Sequence, residues 1–169
     1  KNNFQKTLKN IFQKNLAEII KVENNLKNSW IWKKREELVY IQKELNYNHK
    51  FDISLPLSQW RNFILKTNKF TKKNTQFIPY FFGHLGDGNL HCNFKVKNEL
   101  RKDINILSEF IYDLTISLNG SIAAEHGLGQ KKNMLLKKYK SKEYYDFLKN
   151  LKKYLDPNKN LGANKLFKS

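Results

Sequence analysis

The sequence has little cysteine and no long apolar run, and each shortage excludes a class of protein. A single cysteine, Cys92, excludes a disulfide framework and a zinc site built from cysteines alone. No segment approaches the roughly 18–20 apolar residues of a transmembrane helix. The first four residues contain neither an initiator methionine nor the start of a signal peptide. We therefore expect this sequence to be part of a longer protein.

The length of the chain also limits what it can be. Its 169 residues suffice for one domain, but not for a redox enzyme that houses a whole nucleotide-cofactor domain beside a substrate domain. Apolar residues make up 40% of the sequence and aromatic residues 14%. That composition predicts a packed core rather than a disordered chain.

Arginine is scarce although the chain is strongly basic. The formal net charge is +17, yet only three of the 32 cationic residues are arginines, and the lysines are spread along the whole chain. The planar guanidinium suits phosphates and base edges better than an ammonium does, so this usage favours a solvated basic surface over a dedicated nucleic-acid site. Such a charge would still attract a polyanion at low salt.

The spacing of apolar residues predicts alternating helices and strands. Apolar residues recur at helical spacing over residues 4–20, 26–45, 57–70, 102–118 and 141–155. Residues 19–22 could instead form a short strand. Strand-like alternation occurs over 49–55, 76–83 and 89–95, and residues 121–130 are expected to form a strand followed by a glycine-rich loop. The order predicts an α+β fold, an antiparallel sheet with helices packed on one face.

The last predicted helix has a clear starting signal. Ser141 is of the type that caps a helix N-terminus. The apolar residues of this helix are expected to face inward. They are Tyr144, Leu148, Leu151 and Leu155.

The stretch Gly83–Asn93 carries the most chemical information. Asp-Gly between two apolar runs predicts a β-hairpin with a two-residue turn at residues 87 and 88. Counting outward from that turn pairs Gly86 with Asn89, Leu85 with Leu90 and His84 with His91. Two opposed imidazoles have Cβ atoms about 4.5–5.5 Å apart and can share one divalent ion. A histidine pair without a metal is the alternative.

The alternation of a strand decides which neighbours share the histidine face. It places Asn93 on the same face as the histidines and Cys92 on the other. The register thus nominates Asn93 for the site and excludes the thiol as a ligand.

The segment Ala124–Gly127 is the second candidate. Two imidazoles rarely complete a metal site, so a third ligand is expected, typically a carboxylate. Glu125 and His126 are adjacent, with glycines at 120, 127 and 129, and glycine suits backbone that approaches a ligand closely. The sequence predicts Glu125 as the third ligand and His126 as a free acid–base group. The alternative is an ordinary turn in which both side chains are solvated.

These residues resemble a known family. Gly83–His91 and Gly120–Gly129 are similar to two signature motifs of the C-terminal, substrate-binding domain of FAD-linked 2-hydroxy acid dehydrogenases and oxidases. That family includes D-2-hydroxyglutarate dehydrogenase, D-lactate dehydrogenase and the glycolate oxidase D subunit. Trp32–Glu36 resembles its Trp-x-x-Arg-Glu helix, Lys50–Pro56 its Lys-x-Asp-x-Ser-x-Pro strand, and Leu155–Pro157 its Leu-Asp-Pro near the end.

The resemblance implies a metal site and a base. In the metal-dependent members, the two hairpin histidines and the glutamate of a Glu-His-Gly loop bind a divalent cation, usually zinc. The matching residues here are His84, His91 and Glu125. His126 would then accept the hydroxyl proton as a general base.

The resemblance also implies substrate-binding residues. Arg35 and Lys50 match the cations that hold the substrate carboxylate, and Asn93 would help to hold the substrate. From the residues alone, a surface ion pair is the alternative for Arg35 and a solvated strand end for Lys50.

The resemblance implies that this chain is one part of a larger enzyme. We expect residues 1–169 to form a single substrate- and metal-binding domain with a ferredoxin-like fold, N-terminally truncated, whose FAD-binding domain is absent from this chain. The expected reaction is oxidation of a D-2-hydroxy acid to the 2-oxo acid, with a divalent metal polarising the hydroxyl and FAD accepting the hydride. Without a flavin domain the fragment would be inactive. The expected partners are a small 2-hydroxy acid, an FAD-binding domain or subunit and an electron acceptor.

Two departures from the family pattern keep alternatives open. The family ending Leu-Asp-Pro-x-x-x-Leu-Asn-Pro-Gly-Lys, which lies near the flavin, reads Leu155–Lys165 here and lacks the Asn-Pro-Gly. Val39 stands where the 2-hydroxyglutarate enzyme has a hydroxyl residue, so the sequence does not assure a dicarboxylate substrate. One alternative is a non-catalytic descendant that serves as a basic structural or RNA-associated subunit. Another is a stand-alone metal-binding domain that senses or carries a hydroxy acid. A bacterial chain would be cytoplasmic or peripheral to the membrane, and a eukaryotic one mitochondrial.

Overall fold

The structure is a computed structural model, and its description covers part of the chain. The described residues are 44–97, 100–130, 132–162, 165 and 167, together with 6, 33, 36, 37, 40 and 41. The chain divides into two compact units, Lys1–Leu45 and Asn46–Ser169. In the first unit, Glu36, Tyr40 and Glu44 are helical, as predicted. Arg35 lies outside the described residues, as do Val39 and the alternative strand at 19–22.

The second unit has the predicted α+β architecture. Its elements are β1 (His49–Ser54), α1 (Leu57–Lys73), β2 (Phe77–His84), β3 (Asn89–Val96), α2 (Arg101–Ser117), α3 (Asn133–Tyr139) and α4 (Lys142–Leu155). The three strands form an antiparallel sheet in the order β1-β3-β2. No helix in the described part of the chain is both long enough and apolar enough to cross a membrane.

One face of the sheet builds the core. Alternate residues of the central strand β3, among them Leu90, Cys92 and Phe94, are almost fully buried. Side chains of a strand point to opposite faces in turn, so one apolar set faces α1 and α2. The rings of Phe70 in α1 and Phe110 in α2 stack with centroids 3.9 Å apart. The opposite face of β3 is left for polar residues.

The helix α4 differs from expectation in what it buries. Ser141 Oγ accepts a hydrogen bond of 3.2 Å from the backbone N–H of Tyr144, which confirms the predicted cap. The predicted inward face is wrong, because α4 contains no buried residue and Leu155 is 66% exposed. Among the described elements, its main contacts are with α3. Helical spacing identifies an apolar stripe but not the surface that covers it.

Candidate functional site

The hairpin register corrects the sequence prediction by two residues. His84 pairs with Asn89, and His91 pairs with Phe82 rather than with His84. Because a slip of two residues preserves the face, both imidazoles still lie on the side of the sheet opposite the core. Their ring centroids are 5.6 Å apart.

The reason for the shift lies in the turn. A two-residue type I′ turn needs positive φ at both central residues, and of Asp87 and Gly88 only Gly88 has it, at 74°. Residues 85–88 therefore form a four-residue turn. Asp87 Oδ1 accepts a hydrogen bond of 3.0 Å from the N–H of Asn89. The carbonyl oxygen of Gly88 accepts one of 2.9 Å from the N–H of Leu55, which ties the turn to the end of β1.

His91 lies at the centre of the polar face. It is paired with Asp52 of β1, and its Nδ1 lies 3.3 Å from Asp52 Oδ1. Its Nε2 lies 3.6 Å from Glu125 Oε1, and its ring stacks on Phe82 with centroids 4.6 Å apart. Burial lowers the pKa of His91 below its ordinary 6.5, and the carboxylates of Asp52 and Glu125 oppose that shift. Asp52 Oδ1 is buried and has no hydrogen-bond partner among the described residues, so it is placed to accept the Nδ1–H of His91 when that ring binds a metal.

The segment at 121–130 forms a loop rather than the expected strand. Only Ser121 pairs with a strand residue, through two backbone hydrogen bonds with Ser54 of 2.8 and 3.0 Å. Asp52 Oδ2 then accepts the backbone N–H groups of Glu125 at 3.3 Å and His126 at 3.4 Å. These bonds hold the loop against the polar face of the sheet. The backbone N–H groups of Glu125 and His126 therefore donate to a side chain instead of to a neighbouring strand.

Asp52 is the residue that sequence reasoning missed. It lies within a segment that matched a family motif, but no role was assigned to it. In the structure its two oxygens meet His91 and the loop that carries Glu125. A signal was present in the alternation of β1, which puts Asp52 on the same face as Lys50. Only the pairing of β1 with β3 shows that this face is the one of the histidines.

The structure brings the three predicted metal ligands together. His84, His91 and Glu125 each offer one donor atom, and these atoms lie within 4.8 Å of one another. Two ligands that are each about 2.1 Å from a tetrahedral metal lie about 3.4 Å apart, close to the separation of His91 and Glu125. Two imidazoles and a carboxylate suit zinc and related divalent ions. The donor set therefore fits the cation that the family resemblance implies.

His126 lies at the edge of this group. Its Nε2 is 3.5 Å from Glu125 Oε1, and its side chain is 70% exposed. Asp52, Glu125 and His126 also offer donor atoms within 4.8 Å of one another. Positive φ at Gly127 and Gly129, 65° and 52°, lets the chain turn away after His126.

The remaining candidates share the polar face. Lys50 pairs with Asn93 across β1 and β3, and Asn93 is 3% exposed. The structure also brings in a cation that the sequence analysis did not single out. Lys132 Nζ lies 5.9 Å from the ring centre of Tyr112, and burial lowers its pKa while the charge of Asp52 raises it.

Comparison with known proteins places this chain in a family. The family model for FAD linked oxidases, C-terminal domain, matches residues 1–166. The chain belongs to this family. The resemblance found in the motifs is thereby confirmed.

Curated relatives share its sequence over most of the chain. A probable mitochondrial D-2-hydroxyglutarate dehydrogenase of Oryza sativa subsp. japonica is 33% identical over 135 residues, covering 80% of this chain and 24% of the rice protein. A putative mitochondrial D-lactate dehydrogenase of Schizosaccharomyces pombe is 33% identical over 138 residues, covering 76% and 26%. A D-2-hydroxyglutarate dehydrogenase of Stutzerimonas stutzeri is 30% identical over 153 residues, covering 86% and 32%. The chain thus spans a quarter to a third of the length of these relatives.

Proposed function

We propose that this chain is the substrate- and metal-binding part of a flavin-dependent dehydrogenase that oxidises a D-2-hydroxy acid to the 2-oxo acid. The observation that carries the proposal is the convergence of His84, His91 and Glu125 on one face of the sheet. The names of the relatives supply the substrate class, a D-2-hydroxy acid. The compartment is the mitochondrion in a eukaryote and the cytoplasm or the membrane surface in a bacterium.

His84, His91 and Glu125 hold a divalent cation in this proposal, and zinc suits their donor set best. When bound, such a cation lowers the pKa of the substrate hydroxyl. Asp52 Oδ1 lies 3.3 Å from His91 Nδ1 and would fix the ring so that Nε2 is free to bind the cation. Asp52 also sets the position of Glu125 through the backbone of the loop.

His126 acts as the general base. It accepts the hydroxyl proton of the substrate on an imidazole nitrogen. A bound flavin would supply the hydride acceptor for C2. The exposed position of His126 beside Glu125 leaves its ring accessible to a substrate. Asp52 accepts the N–H groups of Glu125 and His126, so the base is carried on an anchored loop.

Lys50 and Asn93 bind the carboxylate end of the substrate. Arg35, which lies outside the described residues, keeps the carboxylate-binding role that the family resemblance implies. Lys50 supplies a point charge and Asn93 a hydrogen-bond donor, and the two are neighbours across β1 and β3. Arg35 would add a two-pronged grip. The names of the relatives include one dicarboxylic acid, D-2-hydroxyglutarate, and one monocarboxylic acid, D-lactate.

Calorimetric titration of the purified, zinc-loaded chain tests this function. D-lactate and D-2-hydroxyglutarate are added in turn, with their L-enantiomers as controls. We expect at least one D-acid to bind, more tightly than its enantiomer, and Lys50→Ala to weaken binding. Lys95→Ala is the matched control, because Lys95 is an exposed lysine on the same face of β3. If no D-acid binds, or both lysine variants behave alike, the proposed substrate site is wrong.

A second candidate rests on the net charge of +17. A basic RNA-associated subunit would bind RNA through many lysine–phosphate contacts. Fluorescence anisotropy of a labelled RNA distinguishes it, because non-specific contacts are lost as salt rises from about 0.05 to 0.2 M. Binding that persists above about 0.2 M salt would favour this second function, and its loss would favour the dehydrogenase.

A further inference from the structure

Asn89 is a buried amide without a partner, next to the candidate metal site. It is 2% exposed, and neither its Oδ1 nor its Nδ2 has a hydrogen-bond partner among the described residues. It is the first residue of β3, on the same face as His91 and Asn93. Burying an amide without hydrogen bonds is unfavourable, so a residue of this kind indicates a hydrogen bond that forms when neighbouring side chains rearrange on ligand binding.

The strand pairing makes His84 the neighbour of Asn89. The two residues are directly opposed across β2 and β3, and side chains in that relation have Cβ atoms about 4.5–5.5 Å apart. An asparagine and a histidine at this separation reach each other by a rotamer change.

The two histidines of the site differ in the acceptor that lies beside the ring nitrogen not used for the metal. His91 has Asp52 behind Nδ1. Among the described residues, no ion pair joins His84 to a carboxylate in the same way. A histidine that binds a metal through one nitrogen usually donates its other N–H to an acceptor, which fixes the tautomer and the ring orientation. Asn89 Oδ1 is a buried, unpartnered acceptor on the residue that is paired with His84.

We propose that Asn89 is a positioning residue, whose Oδ1 accepts the N–H of the His84 nitrogen that does not bind the metal. This inference rests on the proposed metal site. Asn89 then does for His84 what Asp52 does for His91, with a neutral acceptor instead of a charged one. With one carboxylate and one amide behind the two imidazoles, the site carries one negative charge fewer than it would with two carboxylates.

Zinc affinity of the purified chain tests the role. We expect Asn89→Leu to weaken zinc binding by about 10–100-fold, the usual cost of losing such an acceptor. Asn89→Asp, which keeps an acceptor oxygen, should bind within about threefold of the parent. The melting temperature of the metal-free Asn89→Leu chain should not fall, because the lost amide has no partner there. If leucine prevents folding, Asn89→Ala takes its place with the same expected loss.

Thr67→Val provides a matched control. Thr67 is fully buried in α1 on the core side of the sheet, and its Oγ1 also lacks a partner. This variant removes an orphaned polar atom as Asn89→Leu does, but away from the site. Its zinc affinity should equal that of the parent.

Nitrogen NMR of the imidazoles separates positioning from a merely structural role. In the zinc-loaded parent, the N–H protons of His84 and His91 should both exchange slowly with water. In Asn89→Leu only the His84 proton should become fast. Equal zinc affinity of parent and Asn89→Leu overturns the inference and leaves the metal site intact. Weaker affinity with a protected His84 proton also overturns it, because the amide would then contact the metal itself. A parent chain that binds no zinc refutes the proposed function and this inference together.

Discussion

The two faces of the sheet are built from the same three strands but serve different ends. On the core face, Leu90, Cys92 and Phe94 are buried against α1 and α2. On the other face, one residue away in each case, lie Asn89, His91 and Asn93. Alternation along β3 thus separates residues that stabilise the fold from residues that form the candidate site. Substitutions on the two faces should therefore change different measurements.

The largest expected effect lies on the core face. Phe94→Ala removes a fully buried ring and should lower the free energy of unfolding by about 3–5 kcal/mol, measured by urea denaturation. Lys95→Ala, one residue later and exposed, should change it by less than about 0.5 kcal/mol. Similar losses for the two variants would contradict the division between the faces.

On the site face, His126→Gln should leave stability unchanged and reduce catalysis. If the proposed function is correct, kcat should fall by about 10²–10⁴-fold when the chain is assayed together with a flavin-binding domain, because a general base is lost. Its zinc content and its urea midpoint should match those of the parent, since the side chain is largely exposed. A turnover equal to that of the parent would assign the base to another residue.

Asp52→Ala should lower both the zinc affinity and the stability of the chain, since Asp52 orients a ligand and anchors a loop. We expect zinc affinity to fall by about 10–100-fold, since the acceptor behind His91 is lost. The metal-free chain should also lose about 1–3 kcal/mol of stability, because the N–H groups of Glu125 and His126 lose a charged acceptor. Asp146→Ala, an exposed aspartate in α4, is the control. Unchanged zinc affinity in Asp52→Ala would show that Asp52 holds only the loop.

The smallest expected effect is a change in how the stability of the chain depends on pH, caused by a buried tyrosine on the core side of the sheet. Burial, with a further contribution from Tyr139, raises the pKa of Tyr112 from 10.0 to about 12. The unfolded chain therefore loses this proton first, and stability contributed by the neutral phenol is lost as pH rises from about 10 to 12. Tyr112→Phe should remove up to about 2 kcal/mol of that alkaline loss, measured as the difference between the urea unfolding curves of the two chains. Parallel pH profiles would show that Tyr112 is solvated in the folded state.

The sequence predicted the elements and the face of each site residue better than the contacts between them. The two-residue period of a strand predicted that His84 and His91 lie on one side of the sheet. That prediction holds although the predicted register was wrong by two residues, because a shift of two residues preserves the face. The register itself depends on the backbone of Asp87, which does not adopt the positive φ that a two-residue turn needs. Contacts over long sequence distances, such as Asp52 with the loop at 125–126, follow from strand order and loop path, which local patterns do not encode. The same limit explains α4, whose apolar stripe is visible in the sequence although the structure leaves it uncovered.

The zinc content of the purified chain tests the central claim most directly. Metal-free protein is dialysed against zinc and then against buffer, and bound zinc is measured by elemental analysis. We predict about one equivalent in the parent and a large loss in both His84→Ala and Glu125→Ala. Glu109→Ala, an exposed glutamate paired with Lys138 on another surface, should keep the full equivalent. A parent without stoichiometric zinc, or ligand variants that retain it, would contradict the account.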